Sequence, residues 1–298
     1  MFNNVIVGVD EQPGGRDAIA LAKDLVVSGG ELTLAHVHHG DPGFARSTSI
    51  AFEEAEQQRS LALLEGVREA TDVAAGRIGI GSSSVGRGLH ELAERQHADL
   101  LVVGSCRRGL IGRVFVGDDT REELNGAPCA VAVAPAGYAH QPRLLREIGV
   151  AYNRSPESGR ALAVARELAA ERGARLSAFE AVAIPAYVFG SAAGAVAESI
   201  PSYVDQARSR IAALGGVEPH AAYGIVAEEL AVYSASLDLL VVGSRGYGPI
   251  GRLVHGSTSQ KLARTARCPL LVLTRKARAQ DAPGPPATGR EAVSAATG

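Results

Sequence analysis

The sequence predicts an α/β protein built as two tandem doubly wound units, each with a five-stranded parallel sheet. Three observations predict this fold: the chain repeats itself, short apolar runs of strand length alternate with helical spacing in each copy, and those runs are apolar on both faces. At 298 residues the chain also has the length for about two domains of roughly 150 residues, each able to bury its own core.

The repeat is found by laying the chain against itself. A shift of 139 residues pairs Asp99 to Ala134 with Asp238 to Leu273 without a gap, and about 15 of those 36 pairs are identical. The identities include Asp-Leu-Leu-Val-Val-Gly-Ser at the start of both copies, a block that chance does not produce at one fixed shift. The openings align more weakly at a shift of 143, where Asp10-Glu11-Gln12-Pro13 faces Asn153-Arg154-Ser155-Pro156. The join falls near Gly137 to Pro142, giving expected domains at residues 1–138 and 143–275. Residues 276–298, with Pro283, Pro285 and Pro286 among small polar residues and no periodicity, are expected to form a disordered tail.

Each copy opens with a buried-strand run, Val5 to Val9 or Ile148 to Ala151. A turn containing proline leads into an amphipathic helix over Ala18 to Val27 or Gly159 to Glu171. In the first copy Ser28-Gly29-Gly30 reads as the helix C-cap. Second strands are expected at Leu32 to Val37 and Leu176 to Ala181, followed by variable helical stretches, Ile50 to Ala70 and Pro201 to Leu214. Third strands read at Gly76 to Ile80 and near Glu218 to Ala222. A short helix then precedes the fourth strand, Leu100 to Val103 or Leu239 to Val242, after which come a Gly-rich loop, one more helix and a fifth strand, Ala130 to Ala134 or Leu270 to Thr274. The fifth strands are exposed edges unless they are paired, so the halves are expected to pack as a pseudo-symmetric pair.

Composition narrows the function classes. Aromatics are only 4% of the chain and Trp is absent, so the cores rest on Ala, Val, Leu and Ile and a large aromatic pocket is disfavoured. Thirty Lys plus Arg against 32 Asp plus Glu leave a net charge of -2, with no bulk positive field for a nucleic acid. Cys106, Cys129 and Cys268 have no metal-like spacing. Met1 to Asn4 runs straight into strand one without a basic leader, and the apolar runs fall short of the roughly 20 residues of a spanning helix. The expected chain is cytoplasmic, with no membrane or nucleic-acid partner.

Ligands of doubly wound sheets bind beyond the carboxyl ends of the strands, where strand order reverses, which directs attention to the loops after strands one and four. In the second copy the fourth strand ends in Gly243-Ser244-Arg245-Gly246-Tyr247-Gly248-Pro249-Ile250-Gly251, and after His255 come Gly256-Ser257-Thr258-Ser259 and a helical pattern. This is Gly-x2-Gly-x9-Gly-Ser. Glycines let backbone N–H groups approach a polyphosphate, the free N–H groups of a following helix attract an anion, and Ser257 and Thr258 add hydroxyl donors. The alternative is a tight turn with Ser257 as a plain N-cap.

These residues resemble the universal stress protein (UspA) family, as a tandem two-domain member within the adenine-nucleotide α-hydrolase-like, Rossmann-like superfamily. The resemblance spans residues 1 to 275 and implies ATP or another adenine nucleotide as ligand, with or without Mg, held through Gly243, Gly246, Gly248, Gly256, Ser257 and Thr258. It further implies a ribose or adenine contact from the acid that ends strand one, Asp10, and a base contact from Val37. The two copies depart from the pattern in complementary ways. In the first, Gly104 and Gly117 are present, but Arg107 replaces the second motif glycine and Asp118-Asp119 follow Gly117. In the second the loop is intact, but the acid is Asn153. A carboxylate about 4 Å from a phosphate charge costs about 4 kcal/mol at an effective dielectric near 20, whereas exchanging a carboxylate acceptor for an amide costs about 1 to 3 kcal/mol. The second copy is therefore the expected nucleotide site.

No metal site is expected, because His36, His38 and His39 lack a supporting carboxylate spacing and a strand puts His38 and His39 on opposite faces. Ser82-Ser83-Ser84 has no nucleophile elbow, and no residue stands out as a hydrolytic base. The expected function is a regulatory stress-response module and not an enzyme, with a homodimer among its allowed assemblies. The alternatives are a nucleotide-independent interaction protein and a slow ATP-cleaving enzyme.

Overall fold

Ten strands form one continuous sheet that runs through both copies. The computed structural model describes residues 2–39, 50–105, 127–140, 144–183, 193–243, 262 and 265–274. The first copy supplies β1 (Phe2–Gly8), β2 (Val26–His39), β3 (Gly76–Ser82), β4 (Leu100–Gly104) and β5 (Ala130–Ala134). The second supplies β6 (Glu147–Ala151), β7 (Arg175–Val182), β8 (Glu218–Tyr223), β9 (Leu239–Gly243) and β10 (Leu270–Leu273). Their order is β3-β2-β1-β4-β5-β10-β9-β6-β7-β8, parallel within each copy and, among the described residues, antiparallel only where β5 meets β10. Each copy is thus the expected doubly wound α/β unit, and the fifth strands remove each other's open edge.

The sheet is covered on both faces, which is why its strands read as apolar without alternation. Val5 and Val7 enter one core with Leu21 and Leu25 of α1 (Gly14–Leu25), while Ile6 between them enters the other with Leu89 and Leu92 of α3 (Val85–Arg95). The other helices among the described residues are α2 (Ile50–Thr71), α4 (Pro156–Arg172), α5 (Ala193–Ala212) and α6 (Val226–Tyr233). Helix α4 is fully signalled: the Ser155 hydroxyl accepts from Ser158 N at 3.2 Å, Pro156 opens the first turn, and Gly173 closes the helix at φ 62°. Ser84 caps α3 in the same way, so Ser82 to Ser84 are a strand end and a helix cap.

Helix α1 corrects the sequence reading. It ends at Leu25, two residues before the expected Val27, and Ser28-Gly29-Gly30 is no C-cap because β2 already starts at Val26. The β-branched pair Val26-Val27 favours extension, and the pairing register with β1 slips between Phe2–Val26 and Asn4–Glu31. The slip uses Gly29 at φ 83° and Gly30, where a Cβ would lie 2.9 Å from Asn3 O.

The aspartate that opens the duplicated block has a structural task in both copies. Asp99 accepts from the backbone N–H groups of Asn3 (2.7 Å) and Asn4 (3.1 Å), and Asp238 accepts from those of Arg146 and Glu147 (3.0 Å each). Each one satisfies the start of its copy's first strand. The join is held by α1: buried Asp17 accepts from Gly137 N and Ala139 N at 2.8 Å, and the Tyr138 hydroxyl donates to Asp24 at 2.7 Å.

Candidate functional site

Strand order reverses where β1 lies between β2 and β4, and again where β6 lies between β7 and β9. Beyond the carboxyl ends of these strands the turn after strand one meets the end of strand four. In the first copy Asp10 leads into Gly14, whose backbone lies so close to Gly104 that any Cβ on Gly104 would overlap the Gly14 carbonyl. In the second, Asn153 leads into α4, and a Cβ on Gly243 would stand 2.5 Å from Glu157 O. The first motif glycine therefore has a packing role: it lets the first helix close on the end of strand four and form the crevice floor.

Of the expected site residues, Gly104 is met by Gly14 and Gly243 by Glu157, each four residues beyond the strand-one position, Asp10 or Asn153. Val37 lies half-buried near the end of β2 and packs towards α3, 3.0 Å from where a Cβ on Gly88 would lie. Gly117, Gly246, Gly248, Gly256, Ser257 and Thr258 lie outside the described residues, as do Arg107, Asp118 and residues 276–298.

The acid and its amide counterpart make one and the same turn. Asp10 Oδ1 accepts from Gln12 N at 3.0 Å, and Asn153 Oδ1 accepts from Ser155 N at 3.1 Å. Both residues are exposed. The exchange keeps the turn and alters what the second side-chain atom offers, an acceptor oxygen in Asp10 and an N–H donor in Asn153.

The next position carries a larger change that the sequence reading passed over. Exposed Glu11 in the first copy becomes exposed Arg154 in the second, at φ 65°. Arg154 Nε stands 3.8 Å from Glu180 Oε1 of β7, and that oxygen already binds Arg210 of α5 at 2.9 Å. Pairing register places Glu180 where the first copy has His36, whose Nδ1–H donates to Val9 O at 2.8 Å. The turn after strand one thus carries two exposed acids in the first copy and an exposed amide and arginine in the second, where the Arg154 guanidinium shares Glu180 with Arg210. The signal was in the alignment of Asp10-Glu11 with Asn153-Arg154, legible as a charge reversal.

His36 and His38 each have a partner within the protein. His38 is buried with Nδ1 3.0 Å from Ser60 Oγ, and because that hydroxyl donates to Glu56 O, the ring is the donor. Burial pushes the His38 pKa below its ordinary value, with Glu56 opposing in part. His39 is exposed on the other face. Among the described residues no three His, Cys, Asp or Glu side chains are grouped to hold a metal ion. Burial also pushes the Cys129 thiol up to about 12, leaving it no nucleophile at neutral pH. No helix among the described residues is long and apolar enough to cross a membrane.

The family model for universal stress proteins matches this chain twice, over residues 1–135 and 145–274. The chain belongs to the universal stress protein family. It is 25% identical over 207 residues to a universal stress protein of Mycobacterium tuberculosis, covering 64% of this chain and 69% of that one. A Thermus aquaticus universal stress protein is 33% identical over 136 residues, 99% of its own length but 44% of this chain, so it corresponds to one copy of this tandem universal stress protein. A universal stress protein structure from Archaeoglobus fulgidus superposes with a TM-score of 0.62 at 17% identity, covering 92% of this chain and 99% of that chain, a likeness of fold.

Proposed function

We propose that this universal stress protein binds ATP or another adenine nucleotide in the crevice between β6 and β9, and that it acts as a regulatory module without fast turnover. The observation that carries the reading is the unbroken Gly-x2-Gly-x9-Gly-Ser that begins at Gly243, on a strand whose end closes against α4 where strand order reverses. The mouth of that crevice suits a polyanion, since Asn153 and Arg154 present donors. The first copy opposes one at its loop, where Asp118 adds negative charge in place of the motif's hydroxyl and Arg107 takes the place of the second motif glycine. Gly246 and Gly248 give backbone access to the phosphates, and Gly256, Ser257 and Thr258 supply N–H and hydroxyl donors. Magnesium, when it accompanies the nucleotide, screens the phosphate charge. No step of hydrolysis is assigned to any residue, and the domains are taken as residues 1–138 and 143–275.

Titration calorimetry of the full chain and of Gly246→Arg tests the reading. The arginine side chain fills the space of the polyphosphate, so binding is lost, whereas Ser257→Ala costs about 1 kcal/mol for one hydroxyl bond. An unchanged dissociation constant in Gly246→Arg removes the site. A chain that binds no adenine nucleotide at all is a nucleotide-independent interaction protein.

A further inference from the structure

We infer that Glu180 is a latch shared by two elements, a buried carboxylate held here by Arg210 of α5 and taken over by Arg154 of the turn after β6 when Arg210 lets go. The argument starts from the strand. Ala151 pairs with Phe179 and Tyr152 N donates to Phe179 O, so Glu180 comes one residue beyond the last pairing of β6, level with the turn that carries Arg154. Its side chain is only 8% exposed, and a carboxylate at that depth is costly without a cationic partner.

The cluster holds more bonding capacity than it uses. Arg210 Nη2 donates to Glu180 Oε1 at 2.9 Å, whereas Glu180 Oε2 and Arg210 Nε, both buried atoms, meet no hydrogen-bond partner among the described residues. The pair is therefore one bond short of the fork that a guanidinium and a carboxylate can form. Arg154 Nε stands 3.8 Å from the same Oε1, about 1 Å beyond a charge-assisted hydrogen bond, on a side chain that is 65% exposed. One arginine is bonded, a second is turned towards the carboxylate without bonding it, and one carboxylate oxygen stays open.

The backbone of the turn is set for this contact. Arg154 holds φ 65°, a left-handed conformation that a non-glycine residue keeps only where its surroundings fix it. Asn153 fixes it within the turn, through Oδ1 to Ser155 N at 3.1 Å and through its own N–H to Ser158 Oγ at 3.3 Å, and the Glu180 charge reaches it from β7. The first copy replaces both partners, with Glu11 at the position of Arg154 and with His36, donating to Val9 O, at that of Glu180. In the second copy the hold on the turn after β6 is thereby tied to the position of α5: the turn is loose while Arg210 keeps the carboxylate and tightens when it does not.

The test is a double-mutant cycle on the full chain with Arg154→Gln, Arg210→Gln and the two together, read by urea denaturation and by hydrogen exchange of the Ser155 amide. Each single substitution leaves one guanidinium for Glu180, whereas the double leaves the buried carboxylate unpaired, so the double should lower the folding equilibrium constant at least about tenfold beyond the product of the singles. With Glu180→Gln in the background the same two substitutions should simply multiply, since no buried charge remains. Exchange at Ser155 should slow about threefold or more in Arg210→Gln, as Arg154 closes on the carboxylate. Singles that multiply to the double in the presence of Glu180, or Ser155 exchange that is no slower in Arg210→Gln, would overturn the inference and leave Arg154 an ordinary surface charge. Should the double variant fail to fold, the exchange comparison in Arg210→Gln decides by itself.

Discussion

Ala132 of β5 and Leu271 of β10 face one another across the antiparallel seam, and they are the same position of the two copies, 139 residues apart. The flanking pairs Val131–Val272 and Val133–Leu270 exchange equivalent positions in the same way, so a local two-fold passes between Ala132 and Leu271. Both side chains are fully buried. Leu271→Ala should lower unfolding free energy by about 2 to 5 kcal/mol, read from the midpoint of urea denaturation. A loss under 1 kcal/mol would mean that the seam contributes little.

Residues 1–142 expressed alone would leave β5 as an open edge with its two-fold partner missing. Such a half is expected to self-associate through β5, pairing a second Ala132 where Leu271 stands, and sedimentation would report a dimer or larger species. A stable, well-behaved monomer would contradict this.

Gly243 at the end of β9 and Gly159 in α4 should respond oppositely to alanine. Gly243→Ala puts a Cβ 2.5 Å from Glu157 O and should destabilise by about 1 to 3 kcal/mol. Gly159 sits in α4 with nothing within 4 Å of an added Cβ, so Gly159→Ala should stabilise by about 0.5 to 1 kcal/mol. Paired denaturation curves check both signs.

Asp24 gives a pH prediction. Burial, the larger effect, pushes its carboxyl above the ordinary 3.8, against the Tyr138 hydrogen bond and the Arg172 charge. A carboxyl that holds its proton more tightly in the folded state makes the native protein bind more protons between 3.8 and the raised value, so its contribution to stability rises as pH falls through that window and is absent above it. Asp24→Asn keeps an acceptor for Tyr138 and loses the titration. The stability difference between the two proteins should therefore move in favour of the unaltered chain as pH falls from neutral to about 4. A difference that is flat with pH, or of opposite sign, would contradict it.

Strand positions and the tandem organisation were legible in the sequence because buried parallel strands are apolar on both faces and because the Asp-Leu-Leu-Val-Val-Gly-Ser block repeats at one shift. What was not legible depended on contacts distant in sequence. Asp99 and Asp238 read only as part of that block, since their partners at residues 3, 4, 146 and 147 lie more than 90 residues away. Gly243 was read for its approach to phosphate, yet its crowding against Glu157 comes from how α4 returns to the sheet. The early end of α1 was missed because Val26-Val27 continues the helical apolar spacing while favouring a strand. Arg154 was in view, but Glu180 and Arg210, which define its charge balance, meet it only through β7 and α5.

The first copy should gain a nucleotide when its loop is repaired. Asp118 stands where the motif has a hydroxyl, and a carboxylate at a helix start can occupy the niche of a phosphate, while Arg107 fills the place of a glycine. Arg107→Gly together with Asp118→Ser, with the second site disabled by Gly246→Arg, should bind ATP with one equivalent per chain. No binding at millimolar ATP would show that Asp10 and Val37 do not suffice for the nucleoside end.

On the reading proposed above, two copies sharing one sheet have divided their roles, and only the second binds a nucleotide. Calorimetric stoichiometry of the unaltered chain with ATP tests it most directly. One equivalent per chain is expected, lost in Gly246→Arg. Two equivalents, or one equivalent that survives Gly246→Arg, would contradict it.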